Sequence, residues 1–410
     1  MQTKKKNLII MWVANFLVAA SATMILPFLS LYIESFGEFS NDYVQRWAGF
    51  VFGITFLVAF FVSPFWGRFG DKYGYKPILL LTGFGIATSI FFMGFTSSVK
   101  ELFLLRMLMG IVTGFIPTSM ALISAQTPKE VAGKTLGTLQ MGTVSGGLLG
   151  PLIGGMMADL FGFQYTFFIT SFAIMLATIV VAVGIKENKK TEASKKEKSY
   201  TRAEVLKHIF KNPTLLTIMF VSLFIQTANF SIQPLLALYV TELNSSTNIA
   251  FLAGLAFSAT GFGNLLSTRS WGKLGDSLGH ERVLLILLIL CSIMFIPQAL
   301  AGSLWQLVLF RFLYGIAVGG IIPSVTAYIR QVAPLSMQGE VLGYNLSFRF
   351  LGNVIGPIMG GLISGFMGIS FVFYLTSCLF LFAFFILFWS VKKTSPESIF
   401  KSKEQNYIES

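Results

Sequence analysis

The chain is short of charge. Charged side chains make up 12% of its 410 residues, with 18 acidic against 30 basic, and a soluble globular domain carries about twice that fraction. Cysteine is nearly absent: Cys291 and Cys378 both lie in apolar runs, which excludes a disulfide framework and gives no metal site. The two histidines, His208 and His280, fall in polar segments, which argues against a histidine proton relay inside a membrane. A phosphate-binding loop is also missing. Ala132-Gly133-Lys134-Thr135 imitates its end, but Pro128 occupies the position of the first glycine and no strand precedes it, so no ATPase or other enzyme is expected.

What is present is apolar sequence, 54% of the chain at a mean hydropathy of +0.73. Runs of about twenty apolar residues recur throughout, the length a helix needs to cross a bilayer. The expected fold is all-α and polytopic, with twelve transmembrane helices. Six fall at about 8–33, 47–66, 77–96, 102–125, a fifth through 137–155, and 165–185; six more fall at 213–240, 250–268, 283–301, 304–329, 341–363 and 371–391. Lys4 to Lys6 before an apolar run with Ala20-Ser21-Ala22 imitates a signal peptide, yet the run continues to Ile33, so an uncleaved first helix is expected. The organisation is a six-helix half at 1–185, a basic linker at 186–212, a second half at 213–391 and a tail at 392–410. Residues 200–211 could form a lipid-sensing or calmodulin-like helix; a plain interdomain connector is the simpler reading.

Lysine and arginine decide the orientation. Twenty-five of the thirty fall in the termini, the linker and the loops on that same side, with Arg46 and Lys100 opposite and Arg106, Arg311 and Arg349 within spans. Cytoplasmic loops retain basic residues, so the termini are expected inside and the net charge of +12 reflects topology and anionic-lipid contact. Nucleic acid is not an expected partner. Asn244-Ser245-Ser246 is a sequon in an external loop.

The chain also repeats itself. Trp66-Gly67-x-x-x-Asp71-x-x-Gly74 returns as Trp271-Gly272-x-x-x-Asp276-x-x-Gly279, and Leu105-Arg106-x-x-x-Gly110 as Phe310-Arg311-x-x-x-Gly315, both 205 residues on. Pro27-x-x-x-x-Tyr32 matches Pro234-x-x-x-x-Tyr239. The stretch with Gly137, Gly146, Gly150, Pro151, Gly154 and Gly155 returns 206 residues later as Gly343, Gly352, Gly356, Pro357, Gly360 and Gly361. Glycines four apart share one helix face, and a face without side chains admits another helix to backbone contact. Two halves of like orientation around a mid-membrane site describe a rocking secondary transporter. The glycine helix is expected at the interface on which the halves rock. Residues 67–76, ending in Lys76, read as a tight turn whose glycines permit the reversal and whose Asp71 meets a helix N-terminus or a basic partner, with a gating role or simply a topological one.

The turn after the second helix, Arg106 in the fourth and the glycine pattern of the fifth resemble signature motifs of the major facilitator superfamily, the last being similar to that of its drug:proton antiporters. Leu26-Pro27-Phe28-Leu29-x-Leu31-Tyr32-Ile33-Glu34 and Tyr344-Asn345-x-Ser347-Phe348-Arg349 resemble the MdtG-type multidrug efflux proteins. The resemblance implies that Asp71 lies against the eleventh helix in a charge relay favouring an outward-open form. It also implies that the Gly146/Gly150/Gly154 face lies between the halves and prevents leak.

Many such antiporters carry a carboxylate at mid-depth, where burial raises its pKa. None is found here within the twelve spans. Glu34 is about 26 residues, roughly 39 Å, along the first helix and so near the outer interface, and Asp71 is at the inner one. They are the coupling candidates, with Arg106 as a gating candidate. An intramembrane guanidinium needs a carbonyl, a carboxylate or an anion, so the arginines either tie helix backbones or face the cavity and favour anionic or zwitterionic amphiphiles. The second is expected of Arg349, because Asn345 lies one turn before it. Gln226, Asn229 and Gln233 form a polar stripe expected to line the cavity, with Asn15, Gln140 and Asn264 as further candidates. The function expected is export of amphipathic drugs in exchange for protons; a lipid or metabolite carrier and a non-transporting sensor are the alternatives. No metal or cofactor is expected, only a proton gradient as energy source. The expected partners are small amphipathic substrates and membrane lipids, with a monomer as the working unit.

Overall fold

The computed structural model describes residues 2–128, 131–187, 202–244, 248–334 and 337–394, and the described residues form helices joined by short connections. Twelve stretches are long and apolar enough to cross a bilayer, the number expected. Spans 1 to 6 are Lys6–Met24, Asn41–Gly70, Tyr75–Met93, Val99–Gln126, Ala132–Phe161 and Phe163–Gly184. Spans 7 to 12 are Pro213–Leu243, Ile249–Leu278, His280–Ala299, Leu304–Val332, Gln338–Met367 and Ile369–Lys392. Residues 188–201, Ser245 and Ser246 of the sequon, and 395–410 of the tail lie outside the described residues. The helix Arg202–Lys211 buries Val205 and Ile209 in the core of the second half, so this part of the linker is docked and not a free connector.

The reversal between spans 2 and 3 is tighter than the expected 67–76 turn. The helix of span 2 runs on to Tyr73, only Gly74 at φ +97° interrupts it, and the next helix begins at Tyr75. Gly67, Gly70 and the backbone of Asp71 are therefore helical; the side chain of Asp71 lies outside the described part. Gly279 repeats the reversal at φ +96°, and Gly162 and Gly368 make matching ones at the opposite end at φ +86° and +84°. Glycine alone adopts such angles without steric cost. The N-terminus of span 3 is capped from the linker: Glu187 accepts from the Tyr75 and Lys76 N–H groups at 2.8 and 2.9 Å, and Lys76 Nζ donates to the Ile185 carbonyl at 2.8 Å. A carboxylate at that end complements the helix dipole, the place expected for Asp71. In the second half Asp276 lies 3.4 Å from Nε2 of His280, one turn away.

Spans 1, 4, 7 and 10 are each interrupted, where hydropathy suggests continuous helices. Span 1 stops at Met24 and resumes as Leu29–Glu34; span 4 stops at Ile111 and resumes at Phe115. Span 7 passes through a 3₁₀ turn at Gln233–Leu235, and span 10 stops at Val318 and resumes at Ile321. Pro27 and Pro234 lie in the breaks, and Pro117 and Pro323 lie in the first turn of the resumed helices, where a missing N–H is harmless. Side chains of the repeats take up freed carbonyls. Trp66 Nε1 donates to Ile111 O at 2.8 Å and Trp271 Nε1 to Ile316 O at 2.7 Å, while the Thr268 hydroxyl donates to Gly319 O at 3.1 Å. Tyr32 and Tyr239 donate to the Met93 and Gln298 carbonyls at the ends of spans 3 and 9, each at 2.9 Å.

One buried cluster draws on residues 11–185 with Ala250, a second on 205–387. The repeated glycine face turns inward within each half, which corrects its expected place between them. A Cβ on Gly146, Gly150 or Gly154 would strike Phe16, Thr23 or Met24 of span 1, and one on Gly352, Gly356 or Gly360 would strike Leu223, Thr227 or Ser231 of span 7. The next residue round the helix is what crosses. Gly155 abuts the Ala250 carbonyl of span 8, Gly254 abuts the Pro151 carbonyl, and Gly361 sits with its Cβ position 2.6 Å from Gln45 O and 2.9 Å from Gly49 Cα of span 2. Gly49 in turn faces the Pro357 carbonyl. Gly67, Gly137, Gly272 and Gly343, nearer the termini, have no atom within 4 Å of a Cβ position, so the motif does not pack closely there.

Gly154→Ala is expected to destabilise the protein by about 1–3 kcal/mol, the usual cost of overpacking, read as a lower melting temperature in detergent. Gly137→Ala should leave the melting temperature unchanged or raise it slightly, since alanine favours the helix and meets nothing there. Equal losses from both would refute the packing described.

Candidate substrate cavity between the halves

The four breaks converge on a cavity of about 440 Å³ between the halves, with Leu26, Thr113, Gln233 and Ile321 in its wall. Discontinuous backbone at membrane depth is tolerated where it lines such a cavity. The wall is largely apolar, and Phe56 of span 2 meets Phe230 of span 7 edge-to-face at 5.3 Å across the halves. Gln226, Asn229 and Gln233 all line the cavity, as their spacing suggests, and Asn264 joins them. Asn229 is held by the Tyr314 hydroxyl at 2.9 Å. Among the described residues, none in the wall is acidic.

Arg106 and Arg311 occupy equivalent places in this wall and are both almost fully buried. Each donates Nε to a carbonyl of its own half, Arg106 to Val51 and Arg311 to Ala256, both at 3.3 Å. Each guanidinium also lies over a phenylalanine, 5.7 Å from the Phe52 centroid and 6.0 Å from that of Phe257. The backbone-tying and cavity-facing roles therefore coexist in each residue. The repeat at offset 205 is the signal that makes Arg311 the equal of Arg106.

A chamber of about 20 Å³, room for a single water, shares Ile225, Gln226, Ile321 and Ile322 with the main cavity. Asn345 and Arg349 line it from one face of span 11, opposite Ser222 of span 7. Asn15 and Gln140 are not in the wall of the main cavity, which corrects their expected place. That wall begins at Ala22 on span 1 and Gly147 on span 5, two helical turns beyond each. Asn15 is instead fully buried, its amide atoms without a hydrogen-bond partner among the described residues, and Gln140 is exposed.

The halves meet at the end away from the termini. Asp159 of span 5 accepts from the Ala250 and Phe251 N–H groups, at 3.2 and 2.7 Å, capping span 8 of the other half. On the opposite flank Arg46 lies 4.4 Å from the Phe366 ring centroid and pairs with Asp42 at 3.4 Å. Deeper, the Ser258 hydroxyl donates to Leu148 O at 2.8 Å. Toward the termini, Gly67, Gly137, Gly272 and Gly343 have no described atom within 4 Å of a Cβ position, so the close contacts that join the halves are those at the opposite end and at mid-depth. Glu34 is exposed at the closed end, on a pocket of about 150 Å³ that also holds Glu242. Hydropathy gave no sign that these two carboxylates, one from each half, share a pocket.

Two pseudosymmetric bundles of six spans around a central cavity are the architecture of a membrane transporter built from internal repeats. The sequence matches the model of the Major Facilitator Superfamily over residues 11–269 and 250–408, and the chain belongs to that family. It is 62% identical over 392 residues to an uncharacterised MFS-type transporter, YuxJ of Bacillus subtilis, covering 96% of this chain and all of that one. It is 41% identical to the multidrug resistance protein MdtG of Escherichia fergusonii over 92% of each chain, and to that of Salmonella typhi over 92% of this chain and 93% of that one. Among solved structures, an inward-facing bacterial homologue of the human lysosomal transporter Spinster matches with a TM-score of 0.79, over 96% of this chain and 99% of that one, at 15% identity. The fold is thus that of the major facilitators.

Asp159→Ala should loosen the closed end. With Cys378→Ser as background and Gly147→Cys as reporter in the cavity, alkylation by an impermeant maleimide from the side opposite the termini is expected to rise about fivefold, the factor given by a cap of about 1 kcal/mol. An unchanged rate would show that the cap does not restrain the gate.

Proposed function

We propose that this protein exports amphipathic drugs or other toxic compounds across the cytoplasmic membrane in exchange for protons, as a monomer with both termini in the cytoplasm. The observation that carries the reading is the central cavity: its volume suits a drug-sized molecule, its wall is aromatic and aliphatic with a few amides and two arginines, and the halves are fastened together at the end away from the termini. The 41% identity to proteins named for multidrug resistance supports the same substrate class. With the basic loops inside, the end without those fastenings faces the cytoplasm, where an exporter collects its cargo. No cofactor enters the cycle; the proton gradient supplies the work.

Coupling is assigned to the rims, because the cavity wall holds no carboxylate. Glu34 leads, since it shares its pocket with Glu242 of the other half, and Asp71 follows at the inner end of span 2. A lipid or metabolite carrier of the same fold is the alternative that the cavity arginines favour. Overexpression separates the two readings. Export of drugs predicts resistance to several unrelated amphiphiles, abolished by an uncoupler, whereas a dedicated carrier predicts no broad resistance. In purified protein, substrate addition should release protons, and Glu34→Gln should remove at least half of that release. Full release from both Glu34→Gln and Asp71→Asn would sink the assignment of coupling.

A further inference from the structure

Three guanidinium groups stand on the main cavity and its side chamber, and they are not equivalent. Arg106 and Arg311 are each engaged by a carbonyl and a phenylalanine. Arg349 is half-buried in the wall of the side chamber, with no carboxylate in that wall. Around it are polar groups with unused capacity. Ser222 is 3% exposed and Asn345 5%, and Ser222 Oγ and Asn345 Oδ1 are buried without a hydrogen-bond partner among the described residues. Gln226 belongs to both the chamber and the main cavity. Buried polar atoms are ordinarily satisfied, and a cation within a membrane ordinarily has a partner. A small polar recess with a guanidinium, a hydroxyl and two amides, adjoining an apolar cavity through the residues they share, is placed to receive something from that cavity.

We infer that this chamber is the headgroup subsite of the transporter, and that it takes the leading oxygen of a carboxylate whose remainder lies at the chamber's edge with the main cavity. The apolar body of the same molecule lies in the main cavity against Phe56, Phe230 and Phe257. The inference rests on the export reading and deepens it by naming the substrate class: amphiphilic anions over lipophilic cations. Arg349 supplies charge and a forked pair of donors, Ser222 an O–H donor, and the Asn345 amide an N–H after rotation about its terminal torsion. Gln226 marks the threshold between headgroup and body.

The test is equilibrium binding to purified protein in nanodiscs of phosphatidylcholine, by calorimetry, with two probes of one shape: 2-naphthoate and 2-naphthyltrimethylammonium. Naphthoate is expected to bind at least tenfold tighter. Arg349→Ala should weaken naphthoate at least tenfold and remove the discrimination, Arg349→Lys should weaken it less, and Ser222→Ala should cost about threefold. Equal binding of the two probes by the wild type would overturn the inference. So would unchanged naphthoate affinity in an Arg349→Ala protein of native melting temperature, the outcome if the chamber holds only a trapped water. If Arg349→Ala does not fold, the wild-type discrimination together with Arg349→Lys and Ser222→Ala decides. Binding requires no gradient, so Arg349-dependent binding without drug resistance or uncoupler-sensitive flux would defeat the export reading alone, and flux of cations without anion binding would defeat only the subsite.

Discussion

Backbone groups freed inside the membrane constrain everything else in this molecule. An unsatisfied carbonyl or N–H in hydrocarbon costs several kcal/mol, so spans 1, 4, 7 and 10 cannot break where lipid would touch them. Their breaks must face protein or a cavity, which places these four spans innermost and sets the cavity where they converge. The repeat residues then make physical sense. Trp66 and Trp271 look like part of a loop signature in the sequence, but they reach from spans 2 and 8, respectively, to carbonyls left open at the breaks of spans 4 and 10. Tyr32 and Tyr239 do the same for the ends of spans 3 and 9.

Glycine performs two different tasks on one helix. Gly146, Gly150 and Gly154 weld span 5 to span 1, and Gly352, Gly356 and Gly360 weld span 11 to span 7. Those contacts are within a half and make it a rigid body. Gly155 with Gly254, and Gly361 with Gly49, bring backbone against backbone between the halves, with the Ile358 and Leu148 side chains lying on Gly53 and Gly261 beside them, a smooth surface on which one body can turn against the other. The closed end then needs a specific fastening. Asp159 provides it on one flank only; its counterpart at the same register in the second half is Gly365, which lies against Arg46.

Twelve spans, two like halves and the polar stripe of span 7 were legible because each is a property of hydropathy, spacing or internal repetition. The breaks were not, because hydropathy stays high through 25–28, falls only at Thr113 and Gly114 in the fourth span, and carries no information on local hydrogen bonding. The glycine face was assigned to the wrong neighbour for a related reason. A period of four identifies which residues share a face but not which helix lies opposite, and spans 5 and 11 have close neighbours on two sides. Depth was the other blind spot: Asn15 and Gln140 have the right chemistry two turns too near the termini. The capping of span 3 by Glu187 and the meeting of Glu34 with Glu242 depend on contacts remote in sequence, which no local pattern announces.

The interior charge has one sign, and that bears on how export could be driven. On the reading that places the termini inside, the cavity opens to the side that the membrane potential makes negative. Carrying a cation outward works against that potential by about 2.3 kcal/mol per charge per 100 mV. Its export must be tied to an entering proton, most directly by a mid-depth carboxylate that binds the two in turn. An anion moves outward with the same potential, which by itself sustains about a fiftyfold gradient per 100 mV. On the export reading, a cavity bearing Arg106 and Arg311, with Arg349 in its side chamber and no acid in either wall, therefore has no need of a carboxylate beside its cargo. The acidic groups can then stand at the helix ends, as Glu34 and Glu242 do, where protonation acts on the closing of the gate and reaches the substrate only through it.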